Sequence, residues 1–163
     1  MKDIPDLLEG LGRTPNVLSQ LVKAIPENIL DLRRGDGFWT MAEHVSHLAQ
    51  VQSMLFDRIQ RFIHKDQPEF LPYIPGEGQD DPDTPERMDM AAALDRFTQY
   101  REKQLMLLEG RGDAIWQRTA THPEYDIYSL YILARHIHYE RLLLQPERGI
   151  ARVSGFFGKQ FRC

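Results

Sequence analysis

A chain of 163 residues, 42% hydrophobic and 27% charged, has the proportions of one soluble globular domain, and residues 1–163 read as a single unit. Its formal net charge of -4 leaves no cationic excess for neutralising phosphates, which argues against a nucleic-acid partner. No run approaches the roughly 18 apolar residues of a membrane span, and MKDIPDLLEG carries no basic leader with an apolar core, so the expected setting is cytoplasmic and away from membranes.

From about Pro5 to Ile25, Leu7, Leu8, Leu11, Leu18, Leu21, Val22 and Ile25 recur at helical spacing. Pro15 is expected to kink this helix or to restart it with Thr14 as a cap. Residues 26–38 hold proline, asparagine and the GDG run, and read as a connection whose Ile29 and Leu32, with Trp39 beyond, tuck under the helices. Thr40 followed by Glu43 is a capping box, in which hydroxyl and carboxylate each satisfy an orphan amide of the first turn. A second helix therefore starts at Met41 and runs to about Ile63. Met41, Val45, Leu48, Gln52, Leu55, Ile59 and Phe62 form its apolar stripe.

The segment 64–84, HKDQPEFLPYIPGEGQDDPDT, is too rich in proline for a helix and lacks the alternation of a strand. It reads as one long crossover loop, either an excursion over the end of the molecule or a lid in which Phe70, Leu71, Tyr73 and Ile74 cover a cavity mouth. Thr84-Pro85-Glu86 is expected to open a third helix, with Ala91, Leu94, Phe97, Leu105 and Leu108 facing the core and Gly110 to Gly112 ending it. Residues 113–124 read as a connector anchored by Ile115 and Trp116. A fourth helix is expected from about Tyr125 to Leu144, with Leu130, Leu133, Ala134, Ile137, Arg141 and Leu144 as its stripe and Pro146 as its stop. The tail, 146–163, is mildly basic and either packs outside or joins a dimer interface. Cys163, the one cysteine, cannot close an internal disulfide. The fold class is all-α, a four-helix bundle with one long proline-rich crossover.

Sites in such bundles are built from inward-facing side chains on different helices. His44 and His47 lie one turn apart on a flank of the second helix and can face a common cavity. On the last helix, His136 and Glu140 share a face, while His138 points elsewhere. Glu140 falls within the apolar arc, so it must pair with a cation: an arginine such as Arg141 or Arg101, the His136 imidazole, or a metal. His47, His136 and Glu140 would make a two-histidine, one-carboxylate set suited to zinc, nickel or iron. His44 and His138 are then candidate catalytic proton shuttles. His64 and His122 read as incidental.

FWTMAEHVSHLAQVQ, with its aromatic-Trp-Thr start, Glu43 and His47-Leu48, resembles the second-helix signature of the DinB-like superfamily, and SLYILARHIHYERLLL resembles that family's last helix. The similarity extends loosely from LLEGLGRTPNVLSQL to about Leu144 and leaves the tail unmatched. The resemblance implies a four-helix bundle, often dimeric, with a divalent metal held by one histidine of the helix-two motif and an HxxxH pair on the last helix. Some members of the family are thiol-dependent transferases or isomerases using low-molecular-weight thiols; others are described as metal-dependent hydrolases. Carried over, the helix-two ligand is His47, while Glu140 and Leu144 stand where the family has its two histidines. Either His136 joins Glu140 in the site, or the metal has been abandoned and the bundle kept. The functional expectation is a divalent-metal-dependent enzyme acting on a small molecule by hydrolysis or by transfer of a low-molecular-weight thiol, as a homodimer. The competing reading is a metal-free, non-catalytic binding or interaction bundle.

Overall fold

The computed structural model describes residues 3–71 and 85–139. Its elements, in order, are α1 (Ile4–Ala24), α2 (Glu27–Leu30), α3 (Met41–Gln50), α4 (Gln52–His64), α5 (Met90–Leu108), α6 (Asp113–Trp116), β1 (Thr119–His122), β2 (Tyr125–Ser129) and α7 (Leu130–Tyr139). α1 packs on α5 and α7, and α5 also takes α3 and α4, which in turn reaches α7. The four members of the bundle are thus α1, the α3–α4 rod, α5 and α7. Among the described residues no helix is long and apolar enough to cross a membrane.

The rod begins as expected. The Thr40 hydroxyl accepts from the Glu43 amide at 3.1 Å, and the Glu43 carboxylate accepts from the Thr40 amide at 2.6 Å. Arg33 reaches back to that carboxylate and to the Phe38 carbonyl, tying the preceding loop to the cap. α3 and α4 meet at Val51, and the hydrogen-bond ladder continues across it. Its amide donates to the His47 carbonyl at 3.0 Å, and the Leu55 amide donates to the Val51 carbonyl at 3.1 Å. Val45, Leu48, Gln52, Leu55, Ile59 and Phe62 are all buried, so the expected stripe holds across the joint.

Pro15 does not restart the first helix, which is continuous across it. A proline in a helix interior leaves the carbonyl four residues back without its donor. Here that carbonyl is Leu11's, and the buried Thr14 hydroxyl donates to it at 2.7 Å. In α2 the buried side chain is Leu30, while Ile29 and Leu32 stay exposed. Thr84 lies outside the described residues, and α5 opens later than its Pro85-Glu86 suggested. Residues 85–89 are pinned alongside α3 by Gln50 on the Glu86 carbonyl at 2.7 Å and by the Met88 amide on Ser46 Oγ at 2.9 Å, and to the end of α2 by a two-pronged Arg87–Asp31 pair. The cap is Asp89, which accepts from the Ala92 amide at 2.9 Å. The buried stripe of α5 is Ala93, Phe97, Arg101, Gln104 and Leu108.

The largest correction lies between α6 and α7. A hairpin occupies residues 119–129, with β1 antiparallel to β2 and a register irregularity between Ala120 and His122. The last helix therefore begins at Leu130, five residues after the expected start. Residues 68–70 join the other edge of β1 through a parallel bridge at Glu69. The Phe70 amide donates to the Thr121 carbonyl and the Thr121 amide to the Pro68 carbonyl, both at 2.9 Å. Of the crossover's expected lid residues, Phe70 is buried here and Leu71 is exposed, while Tyr73 and Ile74 lie outside the described residues.

The apolar core falls into two clusters. One gathers Leu7, Leu11, Leu55, Ile59, Phe62, Trp116, Tyr128 and Leu133; the other gathers Leu18, Val22, Val45, Leu48, Ala93 and Phe97. Between them in sequence, on three helices, stand the buried polar residues Thr14, Gln52, Arg101 and Gln104. The bundle has a polar waist.

Because Thr14 supplies the donor that Pro15 lacks, Thr14→Val should lower unfolding free energy by about 1–3 kcal/mol, the cost of a buried carbonyl left unmade. In a Pro15→Ala background, where the backbone amide returns, the same substitution should cost distinctly less. Urea denaturation of the four proteins in this cycle measures both.

Candidate functional site

Seen along its axis, the α3–α4 rod carries a second row beside its buried stripe. His44, His47, Val51, Met54, Arg58 and Arg61 recur at three- and four-residue steps, so they share one flank. At the upper end Trp39 lies against both imidazoles, with ring centroids 5.3 Å from His44 and 5.0 Å from His47. The expected pairing of the two histidines on one flank is therefore present, with a half-buried indole as its wall. Burial pushes the His44 pKa below the usual histidine value, against the opposing charge of Glu43. A neutral imidazole keeps a free lone pair, which a metal ligand or a general base requires.

His136 and His138 part company on α7. The His136 ring lies 5.6 Å from that of Tyr125 and 6.2 Å from that of Tyr128, so it faces the hairpin. His138 faces α1. It packs so closely on Gly10 that a Cβ there would stand 2.5 Å from His138 Cε1. Glycine is what lets the two helices approach at this point. Glu140 and Leu144 lie outside the described residues, as do Arg141 and Cys163. Among the described residues no three His, Cys, Asp or Glu side chains are grouped so as to hold a metal ion. The structure brings His44 together with His47, and His136 together with the hairpin tyrosines.

His122 is the histidine that sequence reasoning passed over. It is buried in β1, with its ring 5.0 Å from Tyr125 and 4.8 Å from Tyr128. Its Nδ1 accepts from the Glu124 amide at 3.2 Å, which leaves the proton of the neutral ring on Nε2. Burial and then the Arg58 guanidinium lower its pKa. His136 is pushed down to about 4, by burial first and then by His122, Arg58 and Arg135. Tyr125 is raised, chiefly by burial. The signal that could have located His122 is the run TATH-PE-YDIYS, two short stretches around Pro123-Glu124. His64 is exposed at the end of α4, with Nδ1 on the Gln60 carbonyl, as an incidental histidine would be.

A family model described as the DinB superfamily matches residues 11–142. The chain belongs to the DinB superfamily. Among solved structures it is similar to YfiT from Bacillus subtilis, with a TM-score of 0.71 at 22% identity, over 86% of this chain and 81% of that one. YfiT is described as a probable metal-dependent hydrolase with an unusual four-helix bundle topology. At that identity the likeness establishes the fold. No curated protein matches the chain.

A histidine buried neutral in the native state, with its pKa pushed down, stabilises the fold fully above its unfolded value of about 6.5. That contribution is lost as pH falls toward the native value of about 4. Over that interval the unfolded chain binds a proton that the native ring refuses. For His136 the full effect is at most about 3 kcal/mol. Between pH 6.5 and 4, unfolding free energy should fall less steeply in His136→Phe than in the parent chain, measured by urea denaturation across that range.

Proposed function

We propose that this chain is a divalent-metal-dependent enzyme acting on a small molecule, by hydrolysis or by transfer of a low-molecular-weight thiol. The observation that carries the reading is the His44–His47 flank against Trp39, standing at the position of the helix-two motif in a DinB-superfamily bundle. The description of YfiT as a probable metal-dependent hydrolase supports the same chemistry.

The residues present meet part of what a borderline divalent ion such as zinc, nickel or iron requires. His136 is neutral near pH 7, so no proton competes for its lone pair. A site needs three donors, and in this reading they are His47, His136 and Glu140, with the carboxylate in place of a family histidine. His136 must then give up its tyrosine contacts. When bound, such an ion lowers the pKa of a coordinated water or thiol and polarises an electrophile. His44, one turn from His47 and with its pKa lowered by burial, would serve as the proton acceptor beside such an ion. Trp39 shields both imidazoles on one side and so limits access of water to them. His138, seated against Gly10, is the weaker candidate for the proton shuttle, because moving its ring would disturb the α1–α7 contact.

One observation favours the second reading, a metal-free binding bundle. Arg101 is 1% exposed at the waist of α5, so the core already contains a cation. In that reading Glu140 serves Arg101 and the waist binds no metal.

Elemental analysis of the tag-free protein, with thermal melting before and after chelation, separates the two. The first reading expects about one metal equivalent per chain and a melting temperature that falls on chelation, as binding to the native state requires. His47→Ala and Glu140→Ala should each lose the metal. Retained stoichiometric metal in either variant removes that residue from the ligand set. Absence of metal after reconstitution, with a melt indifferent to chelator, rejects the first reading.

A further inference from the structure

Farther down the flank that carries His44 and His47, Met54, Asp57, Arg58 and Arg61 of α4 form one wall of a cleft of about 580 Å³, and Glu69, Phe70 and Leu71 form the other. Phe70 is its fixed point. The ring is 1% exposed, its amide is held by β1, and it packs on Phe62 at 5.2 Å and on Tyr128 at 6.0 Å. Both guanidiniums lie over this one ring, with the Arg61 Cζ 4.6 Å and the Arg58 Cζ 5.5 Å from its centroid. Arg58 Nη2 donates to the Leu71 carbonyl at 2.7 Å, and Arg61 Nη2 donates to the Glu69 carbonyl.

Two arginines held side by side in this way are oriented in advance. Each guanidinium lies over the aromatic ring, and one backbone carbonyl accepts from its Nη2. The remaining edge of the fork is left to donate, and an edge of parallel N–H groups matches a carboxylate or phosphate. Arg61 Nε is shielded from water and has no hydrogen-bond partner among the described residues. A buried donor without a partner costs free energy that an entering oxyanion would recover. The arginines' acidic neighbours do not neutralise the cleft. Asp57 approaches Arg61 Nη1 only to 4.0 Å with its side chain 62% exposed, and Glu69 is exposed at the rim. Water screens both exposed carboxylates.

We propose that the Arg58–Arg61–Phe70 cleft is a binding site for a small organic anion, an oxyanion carried on an apolar body. The charged group is held by the two guanidinium edges, and the apolar body lies on Met54 and Leu71, which line the same cleft. The volume is that of a small-molecule site. The shared flank puts such an anion along the rod from His47, but the proposal requires neither a metal nor catalysis.

Calorimetric titration of the full chain with benzoate, phenyl phosphate and benzyl alcohol tests it at low ionic strength. One or both anions should bind saturably at one site, and benzyl alcohol should bind at least about tenfold more weakly. The tighter anion distinguishes a carboxylate from a phosphoryl ligand. Arg58→Gln and Arg61→Gln should each weaken the anion by at least about tenfold, and Arg58→Lys, which keeps the charge but loses the fork, should recover only part. Melting curves identify variants that fold as the parent does; Arg58 is the more informative position, because its ring contact with Phe70 and its hydrogen bond to the Leu71 carbonyl both lie at the cleft. Benzyl alcohol binding as well as the anions, folded Arg58→Gln binding like the parent, or no saturation by either anion would each overturn the proposal.

Discussion

Two carboxamides shut away from water fix how the rod sits on its neighbour. Gln52 Nε2 donates to the Leu48 carbonyl at 2.8 Å, and Gln104 Nε2 donates to Gln52 Oε1 at 3.0 Å. Buried amides without partners are expensive, and sliding α4 along α5 by one turn would break the bond between them, leaving Gln104 Nε2 and Gln52 Oε1 unpaired. Apolar packing alone is more permissive, since leucines tolerate a shifted set of leucines. The amide pair therefore sets the register, and the two apolar clusters on either side follow from it. So does the position of the flank row. With Gln52 turned inward, Met54, Arg58 and Arg61 are carried to the side of the rod, where they line the cleft, and His47 lies against Trp39 farther up the same flank.

The hairpin then decides what the histidines of α7 can do. By occupying residues 119–129 it delivers His122, Tyr125 and Tyr128 to the flank of α7 on which His136 lies. It also brings these groups within electrostatic reach of Arg58. Among the described residues, desolvation, a neighbouring imidazole and two guanidiniums all oppose the charge of His136. The ring is neutral for structural reasons, whether or not it binds a metal. Perturbed titration is thus a weaker guide to catalysis here than it would be in an open cleft.

How much of this the sequence disclosed depended on whether a signal was local. The capping box was legible because Thr40 and Glu43 complete each other within four residues. The rod's stripe was legible, Gln52 included, because periodicity survives a change of polarity. Membership of the family was legible from the same stretch. The α5 stripe was misread by two residues at its start, because its buried positions include Arg101 and Gln104, whose burial depends on partners distant in sequence. Pro15 misled because the helix is rescued by Thr14, a substitution of one donor for another that propensity does not anticipate. The hairpin was missed because its strands are four and five residues long and the second runs directly into a helix. Of the site, the His44–His47 pair was legible on one helix. Which histidine of α7 faces which neighbour was not, since that is set by the hairpin and by Gly10.

The waist poses the remaining electrostatic question. Arg101 brings a fixed positive charge into a region flanked by two apolar clusters, where the effective dielectric is low and a second cation nearby is opposed. A family site of three neutral histidines would add a divalent ion to that charge. Exchanging one histidine for glutamate changes the balance by one full negative charge. It fits either outcome physically: a carboxylate can offset the combined charge of arginine and metal, or it can neutralise arginine alone. The second requires fewer compensations, because one anion then meets one cation and nothing else must be dehydrated. The first becomes favourable only if the imidazoles are held neutral in advance, since a protonated ligand histidine would oppose the incoming ion with its own charge. Burial holds His44 and His136 in that state. The metal reading therefore depends less on the number of histidines than on the desolvation that keeps them uncharged.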